Sequence, residues 1–172
     1  MRGFTDSDWA GDVATRRSTS GGLIFTGRHA IALYSKLQAR VALSSCEAEV
    51  NGIVKCTIEG LHLQAIAQAF GEALKLHVFT DASAARGEML RSGAGKMKRL
   101  AVTQLWTREL LGRNKLQLTK VHREHNPSDV LTHAWVRKDV HHFVAAGFAF
   151  YPWSRGDTRS TTGRRTYEGG SR

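Results

Sequence analysis

Four acidic residues occupy positions where a carboxylate needs a special explanation. They fall at the ends of predicted strands or in the first turns of predicted helices, and they are Asp6, Glu49, Asp81 and Asp129. Site residues of α/β sheets gather at such positions. If the four carboxylates converge, their mutual repulsion requires divalent cations, and oxygen ligands of this kind match Mg²⁺ or Mn²⁺. The pattern therefore predicts a cation site built from segments that are far apart in the chain.

These acids stand out because the chain is strongly basic. Its 172 residues include 25 Lys+Arg against 15 Asp+Glu, a formal net charge of +10. Such a charge favours a polyanionic partner such as a nucleic acid. No apolar run approaches the ~18 residues of a membrane span. Residues 1–6 contain no apolar signal core, so we expect a soluble intracellular protein with no membrane partner.

The hydrophobic pattern predicts the elements that must position the acids. Strands are expected at residues 3–10, 23–26, about 30–35, 74–80 and 116–121, and helices at residues 45–71, 82–91, 98–111 and 126 to about 135. Ser44 and Glu47 form a capping box at the start of the longest helix. The order β-β-β-α-β-α-α-β-α predicts an α/β fold, in which a five-stranded mixed sheet of three antiparallel strands and two more carries helices on both faces.

One domain is predicted over residues 1–150, with its core at residues 3–135. Residues 151–172 are expected to be a basic, disordered C-terminal tail, because Ser, Thr, Arg and Gly dominate and no apolar stripe is present. Cys46 and Cys56 lie ten positions apart in one predicted helix. That separation is too long for a disulfide, so both are expected to be reduced.

Five sequence blocks carry a family resemblance. They are Phe4-Thr-Asp-Ser-Asp-Trp-Ala-Gly-Asp12, Thr15-Arg-Arg-Ser-Thr-Ser-Gly21, Val41-Ala-Leu-Ser-Ser-Cys-Glu-Ala-Glu49, Thr80-Asp-Ala-Ser-Ala84 and Asn126-Pro-Ser-Asp-Val-Leu-Thr132. In this order and spacing they resemble the ribonuclease H domain of Ty1/copia-type (pseudovirus) LTR retrotransposon polyproteins. The resemblance implies an RNase H-like fold and hydrolysis of the RNA strand of RNA–DNA hybrids. It also implies a reverse transcriptase region upstream, and location in a cytoplasmic virus-like particle or in the nucleus.

The resemblance also implies roles for individual residues. The catalytic carboxylates that bind two Mg²⁺ (or Mn²⁺) ions would be Asp6, Glu49, Asp81 and Asp129. One ion would activate the attacking water and the other would stabilise the leaving 3′ oxygen of the phosphodiester. Many RNases H use a histidine before the last carboxylate for product release. Both His122 and His125 lie in that loop, and His125 is assigned to the catalytic set because it is nearer to Asp129.

Basic and hydroxyl residues near the acids are predicted to contact nucleic acid. They are Arg16, Arg17, Ser18, Ser20, Ser45, Ser83, Lys96, Lys98 and Arg99. Cationic side chains neutralise phosphates, and hydroxyls can contact phosphate or sugar oxygens, including the 2′-hydroxyl that distinguishes RNA. Solvated helix ends explain the lysine cluster, and turn or cap duties explain the serines, about equally well.

Several acids and one glycine-rich segment receive ordinary interpretations. Asp8 and Asp12 are interpreted as strand-end or turn carboxylates, and Glu47 as a helix cap. The segment Gly93-Ala-Gly-Lys96 lacks the first glycine and the final Ser/Thr of a phosphate loop, so no nucleotide cofactor is expected. Two alternative functions stay open. One is a catalytically weak or inactive hybrid-binding or structural module of a reverse transcriptase, and the other is an RNase H-fold nuclease that acts on DNA.

Overall fold

The computed structural model describes residues 1–91 and 101–132. Its strands are β1 (Arg2–Ser7), β2 (Thr19–Thr26), β3 (His29–Leu37), β4 (Leu76–Thr80) and β5 (Leu116–Lys120), and its helices are α1 (Ser45–Ala69), α2 (Ser83–Leu90) and α3 (Val102–Gly112). Two 3-10 turns follow β5, at Arg123–His125 and Asp129–Leu131. The predicted order of elements is confirmed through β5. The domain boundary at residue 150 and the tail at 151–172 lie outside the described residues.

The five strands form one mixed sheet in the order β3-β2-β1-β4-β5. The pairs β1–β2 and β2–β3 are antiparallel, whereas β1–β4 and β4–β5 are parallel. A parallel pair needs a long crossover connection, which α1 supplies before β4. The sheet is therefore the five-stranded mixed sheet that the sequence predicts.

Side chains on the two faces of the sheet build separate apolar clusters. One cluster packs α1, α2 and α3 against the sheet and contains Val50, Ile53, Val54, Cys56, Leu76, Val78, Ala85, Met89, Leu116 and Leu118. The other contains Phe4, Leu23, Phe25, Phe79, Val121 and Leu131. Neighbouring residues of β4 divide between the clusters because side chains alternate along a strand. Within the described residues, the turn at Asp129–Leu131 covers the face opposite the three helices.

Helix α1 lies unusually close to β1. A Cβ atom added at Gly52 would lie 2.6 Å from Ser7 Oγ and 3.0 Å from Thr5 Oγ1. The missing side chain thus permits the close approach. At the start of the helix, Ser44 Oγ accepts from the Glu47 N–H at 3.1 Å, which confirms the predicted N-cap. Glu47 in turn accepts from the Leu43 N–H at 2.8 Å, one residue before the cap.

The boundaries of β1 and β2 differ from the prediction. Strand β1 ends at Ser7 rather than at residue 10, because Ala10 has φ +55° and cannot continue a strand. Strand β2 begins at Thr19 rather than at residue 23. Its glycines pair directly with β1, with Gly21 opposite Asp6. A Cβ at Gly21 would lie 2.8 Å from Leu131, so this glycine makes room for the turn above the sheet rather than forming a turn itself.

The predicted helix at residues 126–135 is not an α-helix in its described part. Asn126 Oδ1 accepts from the Ser128 N–H at 3.3 Å and from Ser128 Oγ at 2.6 Å, which favours a tight 3-10 turn. Asn126 Nδ2 also donates to Thr5 O at 3.1 Å and ties the turn to β1. Residues 133–135 lie outside the described residues. No helix in the part of the chain described here is both long enough and apolar enough to cross a membrane.

Candidate active site

Three of the predicted carboxylates meet at the carboxyl ends of β1 and β4. These strands pair in parallel with Phe4 opposite Phe79, and the same register continued by two residues sets Asp6 beside Asp81. Glu49 enters from the fifth residue of α1, directly after the first turn of this helix. One oxygen from each of the three carboxylates lies within 4.8 Å of the others. We call Asp6, Glu49 and Asp81 the acidic cluster.

Glu49 has a strongly perturbed carboxyl group. Burial, followed by the negative charges of Asp6 and Asp81, raises its pKa to about 8, while a hydrogen bond from the Ser7 backbone N–H opposes the change. Its Oε2 atom is buried and has no hydrogen-bond partner among the described residues. A buried carboxylate oxygen without a donor is unfavourable unless a cation or a proton compensates it. The acidic cluster therefore has the charge and the open coordination that a cation needs.

Asp6 is anchored by a residue that the sequence analysis did not assign to the site. Asp6 is 6% exposed, and its Oδ2 accepts a hydrogen bond from Thr132 Oγ1. Thr132 is itself buried. The available sequence signal for this contact was a hydroxyl residue three positions after Asp129, at the end of the last sequence block. The Thr132 hydroxyl therefore helps to orient the Asp6 carboxylate at the strand end.

Asp129 lies outside the acidic cluster but within its electrostatic reach. It begins the second 3-10 turn, and its negative charge contributes to the raised pKa of Glu49. Its Oδ1 accepts from Arg123 Nη2 at 3.4 Å. His122 and His125 are exposed in the preceding loop, with their ring centroids 6.1 Å apart. The fourth predicted carboxylate thus lies at the margin of the cluster, on the side of the histidine loop.

Two serines predicted to contact nucleic acid are buried. Ser18 is fully buried, and its Oγ accepts from the Ala10 N–H at 3.1 Å. Ser20 is 3% exposed, and its Oγ lies 3.1 Å from Ser7 Oγ. A side chain without exposed surface cannot contact a duplex, so this prediction is corrected. Both hydroxyls instead support the β1–β2 loop and the sheet beneath the acidic cluster.

The other predicted contact residues are at accessible positions or outside the described residues. Arg16 is exposed between β1 and β2, and the neighbouring Arg17 donates to Thr15 Oγ1 at 3.0 Å. Ser45 and Ser83 are exposed at the first positions of α1 and α2. These two helix starts lie beside the acidic cluster. The described residues do not include Lys96, Lys98 and Arg99.

The remaining acids and the cysteines have the ordinary roles predicted for them. The Asp8 carboxylate accepts from the Thr19 N–H, and Asp12 Oδ2 accepts from the Thr15 N–H at 3.0 Å. Both contacts are typical of strand-end and turn carboxylates. Cys46 and Cys56 are free thiols. These predictions are confirmed.

The sheet order and the helices define the RNase H-like fold. The structure resembles LC11-RNase H1 in complex with RNA/DNA hybrid, with a TM-score of 0.53 and 16% identity over 81% of this chain and 98% of that one. LC11-RNase H1 was isolated from compost by a metagenomic approach. The structure also resembles the N-terminal RNase H domain of rv2228c from Mycobacterium tuberculosis, with a TM-score of 0.51 and 16% identity over 84% and 94% of the two chains.

A comparison of sequences shows which kind of protein this chain is similar to. The chain is 32% identical over 134 residues to the retrovirus-related Pol polyprotein from transposon TNT 1-94 of Nicotiana tabacum, which is 77% of this chain and 10% of that polyprotein. No family model matches the chain. Its homologues are Ty1/copia-type retrovirus-related Pol polyproteins, consistent with an RNase H domain of such a polyprotein. The chain spans about a tenth of the length of that relative.

Proposed function

We propose that the protein is an endoribonuclease that hydrolyses the RNA strand of RNA–DNA hybrids, as a module of a copia-type Pol polyprotein. The observation that supports this most strongly is the acidic cluster, in which Glu49 keeps a buried oxygen that no described residue contacts as a hydrogen-bond donor. Its position at the strand ends of an RNase H-like sheet supports the same reaction. The reverse transcriptase region of the polyprotein is the expected partner.

The acidic cluster fits divalent cations. Its donors are carboxylate oxygens, which match Mg²⁺ or Mn²⁺. The residues that would hold two such ions are Asp6, Glu49 and Asp81, with Asp129 as the fourth ligand. When bound, the ions supply a water of lowered pKa and stabilise the charge that develops on the leaving 3′ oxygen. Because Glu49 must lose its proton to bind a cation, ion binding depends on pH.

The protein's own residues hold this arrangement before substrate binds. Thr132 orients Asp6, and the Ser7 backbone N–H orients Glu49. Asp81 follows directly after the buried residue Thr80 of β4. Carboxylates fixed by rigid elements need little reorganisation during a reaction, which is the main route by which such a site accelerates phosphodiester hydrolysis.

Charge and hydroxyl placement support a nucleic-acid substrate. The net charge of +10 attracts a polyanion. Arg16 is exposed between β1 and β2, and Ser45 and Ser83 are exposed at helix starts beside the acidic cluster. Phosphate groups bind favourably at helix N-termini, and hydroxyls at those positions can sense the 2′-hydroxyl of the RNA strand.

A cleavage assay tests the proposal. A hybrid with a labelled RNA strand is incubated with protein and Mg²⁺ or Mn²⁺, beside single-stranded RNA, duplex RNA and duplex DNA. We expect metal-dependent cleavage of the RNA in the hybrid alone, leaving 3′-hydroxyl and 5′-phosphate ends. Asp6→Asn and Asp81→Asn should abolish cleavage and leave circular dichroism and hybrid binding unchanged.

A matched control separates the site from a general loss of charge. Asp12→Asn removes the same charge from a turn carboxylate whose partner is Thr15, and this variant should retain cleavage. Salt-sensitive hybrid binding without any metal-dependent product would instead indicate a non-enzymatic binding module. Cleavage of duplex DNA would indicate a DNA nuclease on the same fold.

A further inference from the structure

Three amide side chains connect α3 to the sheet across α1. Gln104 Nε2 donates to Asn51 Oδ1 at 3.1 Å, and Asn51 Nδ2 donates to Gln38 Oε1 at 3.1 Å. Gln38 Nε2 then donates to Ser20 Oγ and to Ala48 O, each at 2.9 Å. We call Gln104, Asn51 and Gln38 the amide chain. It joins residues that are up to 66 positions apart in the sequence.

The direction of the amide chain is fixed at both ends. Gln104 Oε1 accepts from the Ala101 backbone N–H at 3.0 Å, and a backbone N–H can only donate. At the other end, Ala48 O can only accept. Each amide therefore has one orientation that satisfies both of its neighbours, and a rotated amide would place two donors or two acceptors together.

Gln38, at the end of the amide chain, contacts two segments that support the acidic cluster: the start of α1 and strand β2. Through Ala48 O, Gln38 holds the peptide group that directly precedes Glu49 in α1. Through Ser20 Oγ it reaches the hydroxyl that lies 3.1 Å from Ser7 Oγ. Ser7 is the residue whose backbone N–H donates to the Glu49 carboxylate. Gln38 itself is anchored just before β2, because its own N–H donates at 2.7 Å to the carbonyl oxygen of Ser18, the residue that precedes this strand.

We propose that Gln38 is a positioning residue that fixes the first turn of α1 against β1 and β2 and thereby sets Glu49 relative to Asp6 and Asp81. Its side chain bridges α1, which contributes Glu49, and β2, which pairs with the strand β1 that contributes Asp6. Removing the amide would leave Ala48 O and Ser20 Oγ without this donor and would free the helix start to shift. The consequence for catalysis rests on the proposed function, whereas the consequence for the helix start does not.

The test compares Gln38→Ala with Gln64→Ala. Gln64 is a matched control because its Nε2, like that of Gln38, donates to a backbone carbonyl. In this case the donor lies in α1 and the acceptor is Leu74 O. Gln64 lies 15 residues after Glu49, about 22 Å farther along the helix. Two quantities are measured in each protein: amide hydrogen exchange at residues 48–51, and the Kd for Mn²⁺ by isothermal titration calorimetry. The kcat and KM of hybrid cleavage are measured beside them.

We expect Gln38→Ala to accelerate exchange at residues 48–51 and to weaken Mn²⁺ binding and kcat by about 10-fold, the lower end for residues that support metal ligands. KM should change little. Gln64→Ala should leave all of these at wild-type values, even if its melting temperature falls. If Gln38→Ala does not fold, Gln38→Met keeps the side-chain length without the donors and serves in its place.

The possible failures are distinguishable. A wild-type protein that neither binds Mn²⁺ nor cleaves the hybrid would overturn the proposed function, and the exchange rates would still decide the role of Gln38. Wild-type exchange at residues 48–51 in the Gln38 variants would overturn the positioning role. Faster exchange with unchanged Mn²⁺ affinity and kcat would overturn its link to Glu49.

Discussion

Replacing Glu49 by glutamine should change how the stability of the protein depends on pH. In the folded protein, burial and the neighbouring carboxylates raise the pKa of Glu49 from its ordinary value of 4.5 to about 8. Between these two values the folded state therefore holds a proton that the unfolded state has lost. The stability that this protonated carboxyl contributes is fully present below pH 4.5 and is lost as pH rises through 8.

The expected magnitude follows from this difference of about one proton. It corresponds to a slope of about 1.4 kcal/mol per pH unit, so Glu49 should lower the free energy of unfolding by roughly 2 kcal/mol between pH 5.5 and pH 7. Glu49→Gln removes the titrating group and should remove that part of the slope. The variant should thus gain stability relative to wild type as pH rises.

Denaturant unfolding at pH 5.5 and pH 7, with a chelator present to exclude divalent cations, measures the two slopes. Glu72→Gln is the control, because it makes the same substitution at an exposed position after α1. That variant should keep the wild-type slope. Identical slopes for wild type and Glu49→Gln would refute the assignment of a protonated, buried carboxyl to Glu49.

Three further substitutions test the supports of the site and the core. Gly52→Ala places a Cβ atom 2.6 Å from Ser7 Oγ, so we expect a net loss of about 1–3 kcal/mol in denaturant unfolding despite the better helix propensity of alanine. Thr132→Val removes the hydroxyl that donates to Asp6, and Mn²⁺ affinity measured by calorimetry should fall by about 10-fold. Met89→Ala empties a site that is 1% exposed and should cost about 2–5 kcal/mol in the same unfolding experiment, with hybrid cleavage retained below the melting temperature.

The parts of the fold that local sequence determines were predictable. The apolar spacing and the Ser44–Glu47 cap defined the long helix, because both signals lie within a few residues of each other. The turn at Asp129–Leu131 was not predictable in this way. Asn126 followed by proline is typical of a helix start, but its bond to Thr5 O depends on a strand more than 100 residues earlier.

The candidate site shows the same division. The acidic residues could be proposed from their positions at element ends, and the structure brings Asp6, Glu49 and Asp81 together. The amide chain that supports them could not be proposed, because a series of hydrogen bonds that runs from Gln104 to Ser20 has no local sequence signature. Burial of Ser20 also depends on this distant packing, which is why a hydroxyl near the acids was mistaken for a nucleic-acid contact.

The central claim is that the acidic cluster, with Asp129, binds the divalent ions that a nuclease of this fold needs. A crystal of the protein soaked in Mn²⁺ tests it most directly, because the anomalous signal of manganese locates each ion. We predict two ions about 4 Å apart, one of them bound jointly by Asp6, Glu49 and Asp81. Anomalous peaks that occur only elsewhere on the protein, with none at the carboxyl ends of β1 and β4, would contradict the claim.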